Sequence, residues 1–145
     1  MIAFRPARPE DVPAIVALLT EDSMDAAPGT MDGYRAAFAD LVADPRNTLL
    51  VGERHSRIVA TCQLTVISGL SLRAARRMQV ESVRVAADLR GQGIGEAMFA
   101  EIEARARAAG CSLIQLTMNA ARKDAARFYA RQGFTASHVG FKRDL

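Results

Sequence analysis

The residues best suited to do chemistry lie between Val80 and Phe99, where a strand-like stretch runs through a glycine-punctuated turn into a helical one. Leu89 to Gly95 holds one arginine and three glycines, Arg90, Gly91, Gly93 and Gly95, and Ile94 opens an apolar stripe at helical spacing. Glycine has no Cβ, so such a turn can adopt positive φ and aim several backbone N–H groups into one hollow. A helix that starts there adds unpaired donors and the positive end of its dipole. The chemistry offered is recognition of a di-anion such as a pyrophosphate. Other glycine turns fit less well. A dinucleotide fingerprint would need glycine where Glu96 stands, and a phosphate loop would need a closing Gly-Lys-Ser/Thr, which is absent. A tight strand-to-helix turn that binds nothing is the remaining alternative.

The run Arg90-Gly91-Gln92-Gly93-Ile94-Gly95 resembles the acyl-CoA-binding motif of the GNAT N-acetyltransferase superfamily, Gln/Arg-x-x-Gly-x-Gly/Ala, preceded by a strand that carries an acidic residue, here Glu81. A second stretch, Ala125-Ala126-Arg127-Phe128-Tyr129-Ala130-Arg131-Gln132-Gly133-Phe134, is similar to the family's tyrosine-bearing helix and following strand, in the right order and at the right separation. The resemblance covers most of the chain. It implies an α/β fold with a mixed, mostly antiparallel central sheet, splayed at a β-bulge and flanked by helices. It also implies acetyl-CoA as acyl donor, with its pyrophosphate on the Arg90–Gly95 turn and its pantetheine arm along the backbone near Val83 and Val85. Asn119 matches a position whose polar side chain contacts the cofactor in the family, although an asparagine is also a good helix cap. Arg122 and Lys123 are candidates for the 3′-phosphate. Acetyl transfer needs a base to take a proton from the amine, and an acid for the departing thiolate. The resemblance assigns these roles to Glu81, directly or through water, and to Tyr129, whose phenol is protonated at neutral pH. A solvated carboxylate and a merely packed tyrosine are the plain alternatives.

The resemblance leaves the acceptor open. Arg73, Arg76 and Arg77 lead into the Glu81 strand, as in the amino-sugar phosphate branch of the superfamily, and guanidinium groups suit a phosphate or carboxylate. The acidic residue which that branch often places after its glutamate is Ser82 here, and a solvated basic loop accounts for the arginines equally well. A small-molecule amine or amino acid is the expected acceptor, with a protein N-terminus or lysine as the alternative. A non-catalytic acyl-CoA-binding regulatory domain is the alternative outside enzymes. Relatives commonly dimerise, so a homodimer is expected.

Composition sets outer bounds. The 145 residues, half of them hydrophobic, suffice for one core, and we expect a single domain over 1–145. No apolar run approaches the length of a membrane span and no leader pattern precedes Met1-Ile2-Ala3-Phe4-Arg5, so a cytoplasmic, membrane-free protein is expected. Cys62 and Cys111 have no redox or ligand spacing and read as buried free thiols. His55 falls in a charged hairpin turn. His138 precedes a late apolar stretch, where it could line an acceptor pocket or serve structure. The pair has no metal-ligand spacing, and no metal is expected. Residues 1–70 carry a formal charge of −3 and residues 71–145 one of +6. The basic half contains the glycine turn. Its arginines are scattered, many at surface helix positions such as Arg105 and Arg107, so nucleic acid is an unlikely partner.

The elements that must position these residues alternate along the chain. Ile2 to Arg5 reads as an edge strand, and Arg8 to Asp11 opens a helix with Val12, Ile15, Val16 and Leu19 on one face. Asp25 to Gly29 reads as a loop, and Tyr34, Phe38, Leu41 and Val42 mark a helix ended by Asp44-Pro45. Thr48–Gly52 and Ile58–Ile67 form a hairpin, the second strand alternating apolar residues with Thr61, Gln63 and Thr65, so that one face is buried. After the polar connection 68–77 come a strand to Val85, a helix from about Gly93 to Ala109, a strand over 113–118 and a helix over 121–131. Phe134 and Val139–Lys142 are expected as the last strands. One irregularity stands out: Met78 and Val80 have even parity, Val83 and Val85 odd. A β-bulge near Glu81 and Ser82 would return all four to one face, and a strand buried on both faces would tolerate the mismatch.

Overall fold

A computed structural model describes residues 1–21 and 29–145. Its elements are β1 (Ala3–Pro6), a 3-10 turn (Pro9–Asp11), α1 (Val12–Glu21), α2 (Met31–Ala43), β2 (Asn47–Arg54), β3 (Arg57–Ile67), a single turn α3 (Ser71–Ala74), β4 (Arg77–Val85), a second 3-10 turn (Ala87–Leu89), α4 (Ile94–Ala108), β5 (Leu113–Leu116) and α5 (Lys123–Arg131). Of the expected loop at 25–29, residues 25–28 lie outside the described residues. The strands form one sheet in the order β1-β2-β3-β4-β5, with β1–β2, β2–β3 and β3–β4 antiparallel. The chain divides into two compact units, Met1–Gln115 and Leu116–Leu145. None of the helices among the described residues is long and apolar enough to cross a membrane.

Local chemistry accounts for the element ends. Pro9 sits in the first turn after Arg8, where its missing N–H costs nothing. Thr30 caps α2, its Oγ1 accepting from the Gly33 N–H at 3.1 Å. The β2–β3 hairpin closes through His55 and Ser56, at φ 50° and 61°, the two positive angles that a tight two-residue hairpin requires. Gly52 lets β1 close onto β2, because a Cβ there would stand 2.8 Å from Ile2 Cδ1 and 2.9 Å from Phe4 Cε1.

The first unit builds its core from Leu50 and Val51 of β2, Cys62 and Leu64 of β3, Met78 and Val80 of β4, and Ile94, Met98 and Ile102 of α4, all at most 5% exposed. On α1 the buried stripe is Val12, Ile15 and Leu18 rather than one ending at Leu19, which is half-buried. On β3 both faces are covered, since Thr61 is as deeply buried as Cys62 and satisfies its hydroxyl by donating to the Leu50 carbonyl at 2.9 Å. Burial pushes the Cys62 thiol up to about 12, so it is not a nucleophile at neutral pH. Cys111 is half-buried, and burial raises its pKa as well.

In the second unit the expected strands at Phe134 and Val139–Lys142 do not form: residues 134–145 carry no strand, and Val139 and Phe141 are 79% and 93% exposed. Strand propensity is the fit of a residue to a pleated, half-buried surface. Without a ladder partner, two apolar residues around Gly140 have nothing to fit. The same unit ends α5 with a turn in which the Phe134 N–H reaches the Tyr129 carbonyl at 3.0 Å.

One ion-pair network ties the chain start to the sheet. The Arg5 guanidinium on β1 donates to both Asp11 carboxylate oxygens, at 2.7 and 3.0 Å, and to Glu53 Oε2 on β2 at 2.9 Å. Asp11 is 7% exposed and also accepts the Arg8 N–H at 2.7 Å. The guanidinium holds the Asp11 carboxyl below the usual carboxylate range, against the opposing effect of burial. A carboxylate with a depressed folded pKa contributes stability that is fully present above its unfolded value, about pH 4, and is lost as pH falls through the folded value. Asp11→Asn is expected to cost about 1.5–3 kcal/mol at neutral pH. It should also flatten the acid limb of stability below about pH 4. Denaturant melts of both proteins from pH 7 down to pH 3 check this, and equal acid slopes would contradict it.

Candidate active site

The glycine turn follows β4 directly. Gly91 and Gly93 adopt φ of +74° and +80°, and a Cβ built on either meets nothing within 4 Å. Positive φ is therefore required, and the space beside both α-carbons is open. Gly93 is the N-cap of α4 and offers no side-chain acceptor to the first turn. The first helical bond runs from the Ala97 N–H to the Gly93 carbonyl at 3.0 Å, which places the N–H groups of Ile94, Gly95 and Glu96 ahead of the ladder. Ile94, 5% exposed, pins this end of the helix to the core. An anion fits the turn on two counts: donors without helical partners, and an open space that a side chain would fill. Gln92 points away from the core and accepts from Arg54 Nη1 at 3.4 Å. Arg54, Gln92, Gly93 and Ile94 line, with Met1 and Ile2, a surface hollow of about 240 Å³.

The strand before the turn carries the expected bulge. Thr61 pairs with Arg84 and Gln63 with Glu81, so Cys62 alone stands opposite Ser82 and Val83. Ser82 takes φ 54° to admit the extra residue. Val80 pairs with Leu64 and Val85 with Ala60, two β3 residues of like parity, so the bulge does return Val85 to the face of Val80. Around it Glu81 and Ser82 are exposed although β4 lies between two neighbours, while Val80, one residue earlier, is 1% exposed. β5 spans four residues against nine for β4 and cannot accompany it along its length.

The carbonyls of Val83 and Val85 each accept from a nearby arginine, Arg84 Nη1 at 2.9 Å and Arg90 Nε at 3.3 Å respectively. A carbonyl oxygen has two lone pairs, so a second donor can still be received.

Around the bulge the face of the sheet that bears Glu81 carries a polar row: by register it holds Asn47, Thr61, Gln63, Thr65, Gln79 and Arg84, with Leu49, Val51 and Ile67 on the same face. The Thr65 hydroxyl donates to Asn47 Oδ1 at 3.0 Å, Gln115 Nε2 to Gln79 Oε1 at 2.8 Å, and Arg77 Nη1 to Gln115 Oε1 at 3.3 Å. This polar row and Arg84 escaped the sequence reading. The alternation of Thr61, Gln63 and Thr65 was the available signal, and it fits a solvent face equally well.

The three arginines at and before the start of β4 do not converge. Arg76 Nη1 donates to the Ala109 carbonyl at the end of α4, at 3.0 Å, Arg77 reaches Gln115, and Arg73 is exposed in α3 at φ 60°. His55 is exposed in its hairpin turn. Arg105 and Arg107 pair with Glu101 and Glu103 one turn earlier on α4, each at 2.7 Å, which neutralises part of the basic excess.

In the second unit Tyr129 lies on α5 with the rings of Phe128 and Phe134 edge-on at 5.5 and 5.9 Å. Asn119 Oδ1 accepts the Ala121 N–H at 2.9 Å, and its carbonyl accepts the Arg122 N–H at 3.0 Å, so Asn119 shapes the turn into α5. Arg122 is the N-cap of α5 and Lys123 its first residue. His138 is exposed, with Nδ1 at 2.7 Å from the Ser137 hydroxyl.

Comparison with known proteins agrees with this geometry. Residues 12–134 match the acetyltransferase (GNAT) family, across the division between the two units. The chain is 31% identical over 145 residues to an aminoalkylphosphonate N-acetyltransferase of Salmonella typhimurium, covering 98% of this chain and 90% of that protein. Among solved structures, one described as a transcriptional regulator from Bacillus halodurans C-125 is 33% identical with a TM-score of 0.93, covering both chains fully. A putative acetyltransferase from Agrobacterium tumefaciens is 25% identical with a TM-score of 0.89, covering 99% of each chain. The bulged strand, the glycine turn and the family match across most of the chain lead to one conclusion: this protein belongs to the GNAT acetyltransferase family.

Proposed function

We propose that residues 1–145 form one domain that transfers acetyl from acetyl-CoA to the primary amine of a small molecule, with Glu81 as base and Tyr129 as acid. The observation that carries the reading is the bulge at Ser82, which leaves a carboxylate exposed in the middle of the sheet, on the strand that feeds the anion-binding turn. On this reading the Gly91–Gly95 backbone binds the pyrophosphate, and backbone groups of Val83 and Val85 align the pantetheine arm. Asn119, Arg122 and Lys123 serve the rest of the cofactor. Acetyl-CoA supplies an activated thioester. Glu81, directly or through water, takes a proton from the acceptor ammonium and so frees the lone pair that attacks the thioester carbonyl, and Tyr129 gives its proton to the sulfur as the C–S bond breaks.

The likeness to an aminoalkylphosphonate N-acetyltransferase supports a compact acceptor with an acidic group, rather than a peptide. Comparing kcat/KM for 2-aminoethylphosphonate, β-alanine, ethanolamine and a short peptide with a free N-terminus tests this. The small amines should exceed the peptide by at least roughly tenfold, the worth of about 1.4 kcal/mol in the transition state. A peptide preference would overturn it. The likeness to a protein described as a transcriptional regulator favours a second reading, a regulatory domain that binds acetyl-CoA without turnover. Product formation from any amine excludes it.

A further inference from the structure

We propose that Arg84 anchors an anionic group of the acceptor and thereby selects short amines that carry a phosphonate or carboxylate. The inference rests on Glu81 being the base. The bulge that exposes Glu81 also sets the face of Arg84: because Cys62 stands alone opposite Ser82 and Val83, Arg84 pairs with Thr61 and shares the polar face of Glu81 and Gln63. In an unbulged strand, residues three apart would face opposite ways. Arg84 is half-buried inside a strand of a central sheet, where a guanidinium is costly unless charge or hydrogen bonds compensate it. Its Nη1 donates to the Val83 carbonyl at 2.9 Å, which holds the side chain close to the bulge.

Spacing separates Arg84 from the other arginines. Thr61 and Gln63 are two positions apart on β3, so the roots of Arg84 and Glu81 stand about 7 Å apart along the sheet. Two converging side chains span that distance to an amine and an acid a few bonds from each other. Arg77, opposite Ile67, is four positions from Glu81, or about 13 Å, and is engaged by Gln115. Arg76 is engaged by the Ala109 carbonyl, and Arg73 lies on the exposed turn α3, outside β4. A planar guanidinium also suits the tetrahedral or planar oxygens of a phosphonate or carboxylate better than a point charge does.

The phosphates of acetyl-CoA are the other possible source of the same anionic chemistry, and the test separates the two. Arg84→Gln and Arg84→Lys are assayed with 2-aminoethylphosphonate, β-alanine and ethanolamine, and each variant is titrated with acetyl-CoA. Arg84→Gln is expected to lower kcat/KM for the two anionic acceptors roughly 10- to 100-fold, as loss of a charge-assisted pair does. Ethanolamine turnover and the acetyl-CoA Kd should stay within about threefold, and Arg84→Lys should restore part of the loss. Retained acetyl-CoA binding also shows that the variant is folded. Equal losses on all three acceptors, no loss on any, or weakened acetyl-CoA binding would each overturn the proposal. If the unmodified protein acetylates none of the three, the small-molecule acceptor reading itself fails, an outcome visible before any variant is made.

Discussion

Tyr129→Phe is expected to lower kcat by about 10²–10⁴, the usual worth of a positioned acid or base, while leaving the acetyl-CoA Kd unchanged. The substitution removes one oxygen. The edge-on contacts of the ring with Phe128 and Phe134 depend on its faces and edges, so the helix and the turn after it should keep their shape. On the proposed mechanism, what is lost is a proton donor for a thiolate leaving group, an interaction needed only as the C–S bond breaks. Such a loss falls on kcat and on kcat/KM equally. Rapid-quench turnover and calorimetric titration on the same preparation measure the two halves. An unchanged kcat would remove Tyr129 from the chemistry, and a weakened Kd with normal kcat would make it a binding residue.

Gly93→Val should abolish measurable acetyl-CoA binding. At φ +80° a β-branched side chain pays about 1–2 kcal/mol or more in backbone strain alone. The open space beside the Gly93 α-carbon, which on our reading the pyrophosphate occupies, would then hold two methyl groups. The cost to folding should be modest, because nothing lies within 4 Å of the new Cβ. The cost to binding is larger, since the side chain displaces the anion from the donors of the first turn of α4. Titration of folded Gly93→Val with acetyl-CoA should give a Kd raised at least about 100-fold, and an unchanged Kd would place the cofactor elsewhere.

The backbone geometry of the candidate site was legible in the sequence wherever a local rule decided it. Three glycines after a β-branched run announced a turn with positive φ, and Gly91 and Gly93 take it. The parity conflict between Met78/Val80 and Val83/Val85 pointed to a bulge, and register puts it at Ser82–Val83. Long-range pairing was less legible. The side of the sheet that receives Arg84 depends on its alignment with Thr61, which no window around residue 84 contains. Arg76 acts on the end of α4, more than thirty residues away. Val139 and Phe141 have strand-forming side chains, yet a strand needs a ladder and these residues have none. The hairpin at His55 and Ser56 lacks the Asn-Gly signature and still takes two positive angles, because β2 and β3 pair along most of their length and impose them.

Incubating the protein with acetyl-CoA and 2-aminoethylphosphonate, and following free CoA thiol together with the N-acetylated product by mass spectrometry, tests the central claim most directly. One thiol released per N-acetyl product, above the rate without enzyme, is the result expected. Tight acetyl-CoA binding with no N-acetylated product from this or any other small primary amine would contradict it.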